Sequence, residues 1–267
     1  EDFRKTVLHN QDKDFVIFWN NRNIRRKLPS DVIMSYKTFC DTLPKEKSKK
    51  CVLVMHTAPV DNNGTDLPEV VKNICPMYDV IFSHARLETP QMNLLYNIAD
   101  ITINIASNEG FGLGTCESIM AGTPAIVNVT GGLQDQCGFM DSDPSGGAHR
   151  YLDAEDYVEL KSNHRGTYTT HGKWVKPVFP SNISCQGSPL TPYIFDDRCS
   201  FEDAGEALLE WYNEGPEERE RCGELGRQFV NGDGRMTGKH LSESFIKNID
   251  TCFEKWKPRE QYTLEVV

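Results

Sequence analysis

Short apolar runs alternate with amphipathic stretches through the first half of the chain. Phe15-Val-Ile-Phe-Trp19, Cys51-Val-Leu-Val-Met55, Val80-Ile-Phe82, Ile101-Thr-Ile-Asn-Ile105 and Ala125-Ile-Val-Asn-Val129 each have strand length. They are largely apolar throughout rather than alternating, as expected of strands covered on both faces. Between them, helices are predicted at 31–43 with Ser30 as cap, at 67–74 and at 91–98. Strand and helix in regular succession point to a parallel α/β sheet. The pattern then breaks. From Gly138 to about Pro192 Gly, Ser, Pro, His and Tyr recur, including Asp143-Pro-Ser-Gly-Gly147, so 138–192 reads as a long insertion. Tyr193-Ile-Phe195 is predicted to resume as a sixth strand, followed by helices over 201–213, 216–230 and 237–256. Phe201, Ala204, Ala207, Leu208 and Trp211 share one helical face. The expected fold is a Rossmann-like, doubly wound parallel sheet of about six strands over 14–256, with 1–13 as a linker and 257–267 as a tail.

Candidate chemistry follows the fourth run. Gly110, Gly112 and Gly114, interleaved with Phe111 and Leu113, open a short helix that stops at Gly122-Thr-Pro124. A glycine loop leading from a parallel strand into a helix offers backbone amides and the dipole's positive end to an anion, which suits phosphate. Glu109 precedes the loop and Glu117 lies one turn inside the helix. Carboxylates only accept hydrogen bonds, and a vicinal diol offers two donors, so a sugar beside a phosphate would account for both. After the first strand come four cations within six residues: Arg22, Arg25, Arg26 and Lys27. Ligands of open α/β sheets bind outside the carboxyl ends of strands, which is where this cluster stands. Arg22 presents a planar fork for phosphate oxygens and Lys27 a mobile point charge. Arg25 reads as a surface residue. His56, Ser83 and His84 occupy the ends of the second and third strands and are candidates for a base pocket. Trp174 and Tyr168 are candidates for stacking on a sugar or base, and Trp174 and Lys173 for covering the site. Gly131-Gly132 reads either as a close approach to a ligand or as a tight turn.

The run Glu109-Gly-Phe-Gly-Leu, three residues and Glu117, followed by Ala121-Gly-Thr-Pro124 and Gly131-Gly132, resembles the donor-site signature of retaining GT-B glycosyltransferases of family 4. Asn97-Ile-Ala-Asp100 resembles the turn before that signature. Tyr193-Ile-Phe-Asp-Asp and Phe201-Glu-Asp-Ala-Gly-Glu-Ala-Leu208 resemble the close of the family's C-terminal domain. The resemblance spans roughly 14–137 and 193–256. It is greatest to viral and phage-encoded members, whose first strand is followed by a run like Asn21-Arg-Asn-Ile-Arg-Arg-Lys27. It implies the C-terminal half of a GT-B fold that binds a nucleotide-diphosphate sugar without metal or cofactor. Glu109 would face the transferred sugar and Glu117 the ribose diol. Arg22 and a second cation would hold the leaving diphosphate, with Glu109, Arg22 and Lys27 as the catalytic set. The Arg22–Lys27 spacing is one residue shorter than in many members, leaving the second cation open between Arg26 and Lys27. The partner substrate would be a glycan or another hydroxyl acceptor. The family's acceptor-binding domain has no counterpart here. The chain is then a fragment, or works with a separate N-terminal domain and does not transfer alone, or is a nucleotide-sugar-binding module that has lost transfer.

The bulk properties narrow the alternatives. A chain of 267 residues with formal charge −10 is a poor partner for nucleic acid or an anionic membrane. No apolar run reaches membrane-spanning length. Nine cysteines without a Cys-x-x-Cys pair favour a reducing, cytoplasmic setting, the host's if the protein is viral. A nicotinamide dehydrogenase would carry Gly-x-Gly-x-x-Gly after the first strand, not Gly-x-Gly-x-Gly after the fourth. A glycosidase would use the two glutamates but leave the cations without a role. Asp12-Lys-Asp14 precedes the first strand and is not read as a metal site.

Overall fold

The computed structural model describes residues 2–141, 157–159, 168–232 and 236–258. Helix α1 (Asp2–Val7) leads to β1 (Phe15–Asn20), a 3-10 turn at Arg25–Lys27, α2 (Pro29–Thr42) and the short α3 (Lys45–Ser48). Then come β2 (Cys51–His56), α4 (Leu67–Ile74), β3 (Val80–Ser83), α5 (Thr89–Ile98) and β4 (Ile101–Asn104). The glycine loop opens α6 (Leu113–Met120), followed by β5 (Ala125–Asn128) and the one-turn α7 (Leu133–Gln136). The next strands are β6 (Met140–Asp141), β7 (Tyr157–Glu159), β8 (Tyr168–Gly172), β9 (Val175–Val178), β10 (Asn182–Ser188) and β11 (Thr191–Arg198). Helices α8 (Phe201–Asn231) and α9 (Gly238–Lys255) complete the fold.

Six strands form one parallel sheet in the order β3-β2-β1-β4-β5-β9. The expected doubly wound α/β fold is therefore present. β1 alternates between two cores. Phe15, Ile17 and Trp19 pack toward α2 and α8, while Val16 and Phe18 join Leu8, Leu95 and Tyr96 on the other face. Burial on both faces explains the continuous apolar runs seen in the sequence.

Four expectations are corrected. Tyr193–Phe195 is not the sixth strand of the sheet; it belongs to β11, which pairs antiparallel with β10 in a separate hairpin. The sixth strand is β9, inside the presumed insertion. Its Lys176 and Pro177 interrupt the apolar pattern, and Pro is tolerated there because β9 is at the sheet edge. Trp174, expected over the site, is fully buried against Phe229, and its indole N–H donates to the Gln136 carbonyl at 3.2 Å. A Cβ on Gly172 would come within 2.3 Å of its ring, so this turn is shaped around the indole. The Tyr168 side chain, Asp143–Gly147 and residues 259–267 lie outside the described residues. Ser30 does not cap α2. Leu28 occupies the N-cap with φ 50° and Pro29 starts the helix, where its missing N–H costs nothing. Residues 2–13 are not an extended linker, since α1 covers the lower core through Phe3, Val7 and Leu8.

The late helices match the pattern closely. Gly215, with φ 81°, breaks α8 just before Pro216, and Ala204, Leu208 and Trp211 are buried on the predicted face. Among the described residues no helix is long and apolar enough to cross a membrane.

Candidate functional site

β1 is flanked by β2 on one side and β4 on the other, so the strand order reverses between β1 and β4. In open α/β sheets the crevice at the carboxyl ends of these two strands is the ligand site. The chain places its unusual chemistry there.

The basic turn after β1 is held by a residue the sequence reading passed over. Asn23 is buried, and its side-chain N–H groups donate to the carbonyls of Ala58, Pro59 and Thr65, at 2.7 Å for Thr65. Its Oδ1 accepts from the Thr65 amide at 3.2 Å. Pinned to the loop after β2, the turn directs Lys27 inward. The Lys27 ammonium, only 7% exposed, ion-pairs with the Glu109 carboxylate, which is 5% exposed. Arg26 Nη1 donates to the Asn108 carbonyl at 2.8 Å and reaches Glu109 Oε2 at 3.4 Å. Asn104 at the end of β4 donates to Glu109 Oε1 at 3.3 Å and to Thr115 Oγ1 at 3.0 Å. Burial lowers the Lys27 pKa from its ordinary value, with Glu109 opposing the shift. Both candidates for the second cation thus meet Glu109, Lys27 from the interior and Arg26 from the rim.

Arg22 does not join them. Its guanidinium donates to Asp61 Oδ2 at 3.0 Å, on the loop after β2.

The glycines divide by role. Gly112 sits at φ 87°, the left-handed conformation that lets the loop turn into α6. A Cβ on Gly114 would lie 2.9 Å from the Asn20 carbonyl, so this glycine seats α6 against the end of β1. Gly110 faces open space. Gly131 and Gly132 form the tight turn from β5 to α7 and pack on the glycine loop: their Cβ positions would fall 2.0 Å from the Glu109 carbonyl and 2.3 Å from that of Gly110. The Gly132 amide also donates to the Glu109 carbonyl at 3.0 Å, supporting the loop from below.

Helix α6 begins without a side-chain cap; the Thr115 and Cys116 amides donate to the Gly112 carbonyl, and those of Leu113 and Gly114 come too early in the helix to have an intrahelical acceptor. Glu117 is exposed one turn in, where its Oε2 accepts from the Tyr96 hydroxyl at 2.7 Å. That hydroxyl accepts in turn from Asn20 Nδ2 at 2.7 Å. Burial pushes the Tyr96 phenol pKa up, with Glu117 adding to it and Asn20 opposing, so Tyr96 stays a donor. Asn20 and Tyr96 are further residues that sequence reasoning missed. At the far strands, His56 Nδ1 is 3.0 Å from Ser83 Oγ, and burial, then His84, holds His56 below its ordinary pKa. Three strand spacings, about 14 Å, separate β3 from β4. Only an extended ligand would touch both Ser83 and the glycine loop.

No protein-family model matches the chain, and no curated protein matches its sequence. Solved structures do match. The N-terminal domain of trehalose-6-phosphate phosphatase from Candida albicans superposes with a TM-score of 0.61 at 13% identity, covering 94% of this chain and 44% of that one. A glycosyltransferase from Rickettsia africae gives 0.60 at 12% identity, over 96% and 52%. The E. coli trehalose-6-phosphate protein bound with UDP-2-fluoro glucose gives 0.58 at 12% identity, over 97% and 48%. The fold is that of one half of a GT-B glycosyltransferase. The chain spans about half the length of the structures it matches. At such low identity the likeness establishes architecture, and function has to be argued from the site.

Proposed function

We propose that this chain binds a nucleotide-diphosphate sugar and is the donor-binding half of a retaining glycosyltransferase. The observation that carries the reading is the buried Lys27–Glu109 pair, set beside the uncapped start of α6 at the point where strand order reverses. In this reading the diphosphate lies against the amides of Phe111 to Gly114, with Lys27 and Arg26 balancing the charge that grows as it departs. Arg22 reaches it by exchanging Asp61 for phosphate oxygens. Glu109 accepts from hydroxyls of the transferred sugar and Glu117 from the ribose diol. Ser83 and His84 border the base. The cations replace the metal that other transferases use.

Retention of configuration requires the acceptor hydroxyl to attack from the face the diphosphate leaves. Holding it within ~3–3.5 Å of the anomeric carbon can supply ~7–11 kcal/mol of barrier lowering. In this reading that work falls to the other half of the GT-B fold. A nucleotide-sugar-binding module without transfer would share this donor site. Isothermal calorimetry with uridine, guanosine and adenosine diphosphates, with and without EDTA, tests the shared premise. At least one should bind equally well in EDTA; binding by none, or only with metal, refutes it.

The two glutamates should separate the ligand's ends. Glu117→Ala is expected to weaken free nucleoside diphosphate and sugar donor alike, by ~1.5–3 kcal/mol for one charged hydrogen bond. Glu109→Gln should weaken the sugar donor more than the bare diphosphate. Equal losses for both ligands in both variants would remove the assignment.

A further inference from the structure

Three residues from three elements form a hydrogen-bonded chain against the start of α6. Asn20 ends β1, Tyr96 lies in the last turn of α5, and Glu117 is one turn into α6. Asn20 Nδ2 donates to the Tyr96 hydroxyl, and that hydroxyl donates to Glu117 Oε2, both at 2.7 Å. A phenol has one proton and can accept as well as donate. With an amide N–H directed at its oxygen, the Tyr96 hydroxyl commits its proton to the carboxylate. Burial raises the phenol pKa, so that proton stays in place.

The phenol itself is fixed. Tyr96 is 2% exposed, and its ring packs T-shaped on Phe18 with centroids 5.3 Å apart. Its carbonyl accepts from Thr123 Oγ1 at 2.8 Å. A Cβ on Gly114 would lie 2.9 Å from the Asn20 carbonyl and 3.6 Å from the Tyr96 hydroxyl, so the glycine loop rests directly on this chain. Glu117, by contrast, is exposed, and among the described residues Tyr96 is the sole donor to its carboxylate. Its Oε1 is left open to a ligand.

An exposed glutamate samples several rotamers, and a ligand that needs one of them gives up binding energy to order it. Tyr96 does that ordering in advance. From this geometry we infer that Tyr96 is a positioning residue that makes the site read a ribose diol: it holds Oε2, and Oε1 accepts from the sugar hydroxyls. The inference rests on the donor-binding reading, which puts the ribose at Glu117, and it narrows the substrate class to ribonucleotides. A site built to bond a hydroxyl rejects the analogue that lacks it, because its own polar group is then left without a partner. Discrimination therefore depends on a phenol that does not touch the ligand.

Calorimetric titration of the chain with uridine, guanosine and adenosine diphosphates and their dideoxy counterparts, which lack both hydroxyls of the diol, provides the test. For the parent, the best-bound ribonucleotide should exceed its dideoxy form by at least about tenfold in affinity. In Tyr96→Phe, which keeps the ring against Phe18, the ratio should fall to about threefold or less, with the loss on the ribonucleotide. Asn20→Asp should also lower the ratio, with the hydroxyl intact, because a second carboxylate competes for the single phenol proton. Circular dichroism checks that each variant folds; if Tyr96→Phe does not, the Asn20→Asp ratio decides. A parent ratio near one, an undiminished ratio in either folded variant, or equal weakening of both ligand forms overturns the inference and leaves the donor reading intact. Absence of binding by every nucleotide, ribose or dideoxy, overturns the donor reading and this inference with it.

Discussion

Lys27→Met is expected to lower folding stability by ~3–5 kcal/mol, because it leaves a buried carboxylate without its interior cation. Glu109 would retain Asn104 and the rim guanidinium of Arg26, which is 3.4 Å away and half exposed, so the lower end of that range applies. Methionine preserves most of the side-chain volume, so the loss reports charge rather than a void. Removing the second charge as well should return much of the stability, since a buried pair costs desolvation that a neutral pair does not. The cycle is Lys27→Met, Glu109→Gln and the double variant, each followed by urea denaturation. A coupling of ~2 kcal/mol or more is expected for a pair in direct contact. If Lys27→Met lies within about 1 kcal/mol of the parent, the pair is not the buried anchor of the site. Such an anchor would have a functional consequence. The loop amides are useful to a ligand only if Glu109, whose carbonyl accepts from Gly132, is held in place from both its backbone and its side chain.

The parts of the fold that could be read in the sequence were those whose residues carry their reason locally. β1, β2, β4 and β5 are buried on both faces and therefore appear as uninterrupted apolar runs. Gly112 and Gly122 take positive φ at the start and stop of α6, where glycine is the usual residue. β9 was not legible because an edge strand needs only partial cover, and Lys176-Pro177 breaks its pattern. β11 misled in the opposite direction: Tyr193 and Phe195 look like core residues but are largely exposed on the hairpin. The glutamates, glycines and cations of the site stood out by spacing. Asn23, Tyr96 and Asn104 did not, since each acts by contacts that its own neighbourhood does not announce. Asn23 reaches residues about forty positions away, and Tyr96, on α5, links Asn20 at the end of β1 to Glu117 on α6. The sense of Arg22 also depended on tertiary structure, as Asp61 comes from another loop.

Acid should destabilise the fold through His171. This imidazole is 6% exposed, packed 5.7 Å from the Phe139 ring, with Nδ1 donating to the Gly172 carbonyl at 2.9 Å. Burial pushes its pKa down to about 4 from an ordinary 6.5, the Gly172 carbonyl opposing and Lys176 adding slightly. Between those values the unfolded chain binds more protons than the folded one, so stability rises with pH across the window. It is complete above about pH 6.5 and is lost as the pH falls toward 4. The full span corresponds to roughly 3 kcal/mol and the part lost by pH 5 to about 2 kcal/mol. The ring lies near the end of β8, just before the turn that carries Trp174 into β9, so the sheet edge is where the loss should begin. Urea denaturation at pH 7.5 and pH 5.0 measures it, with His171→Gln as the non-titrating control. The parent should lose about 2 kcal/mol more than the control over this interval. An imidazole titration followed by NMR gives a second reading: a His171 midpoint near 6.5 in the folded protein, or equal losses for parent and control, would show that this ring is not buried in its neutral form.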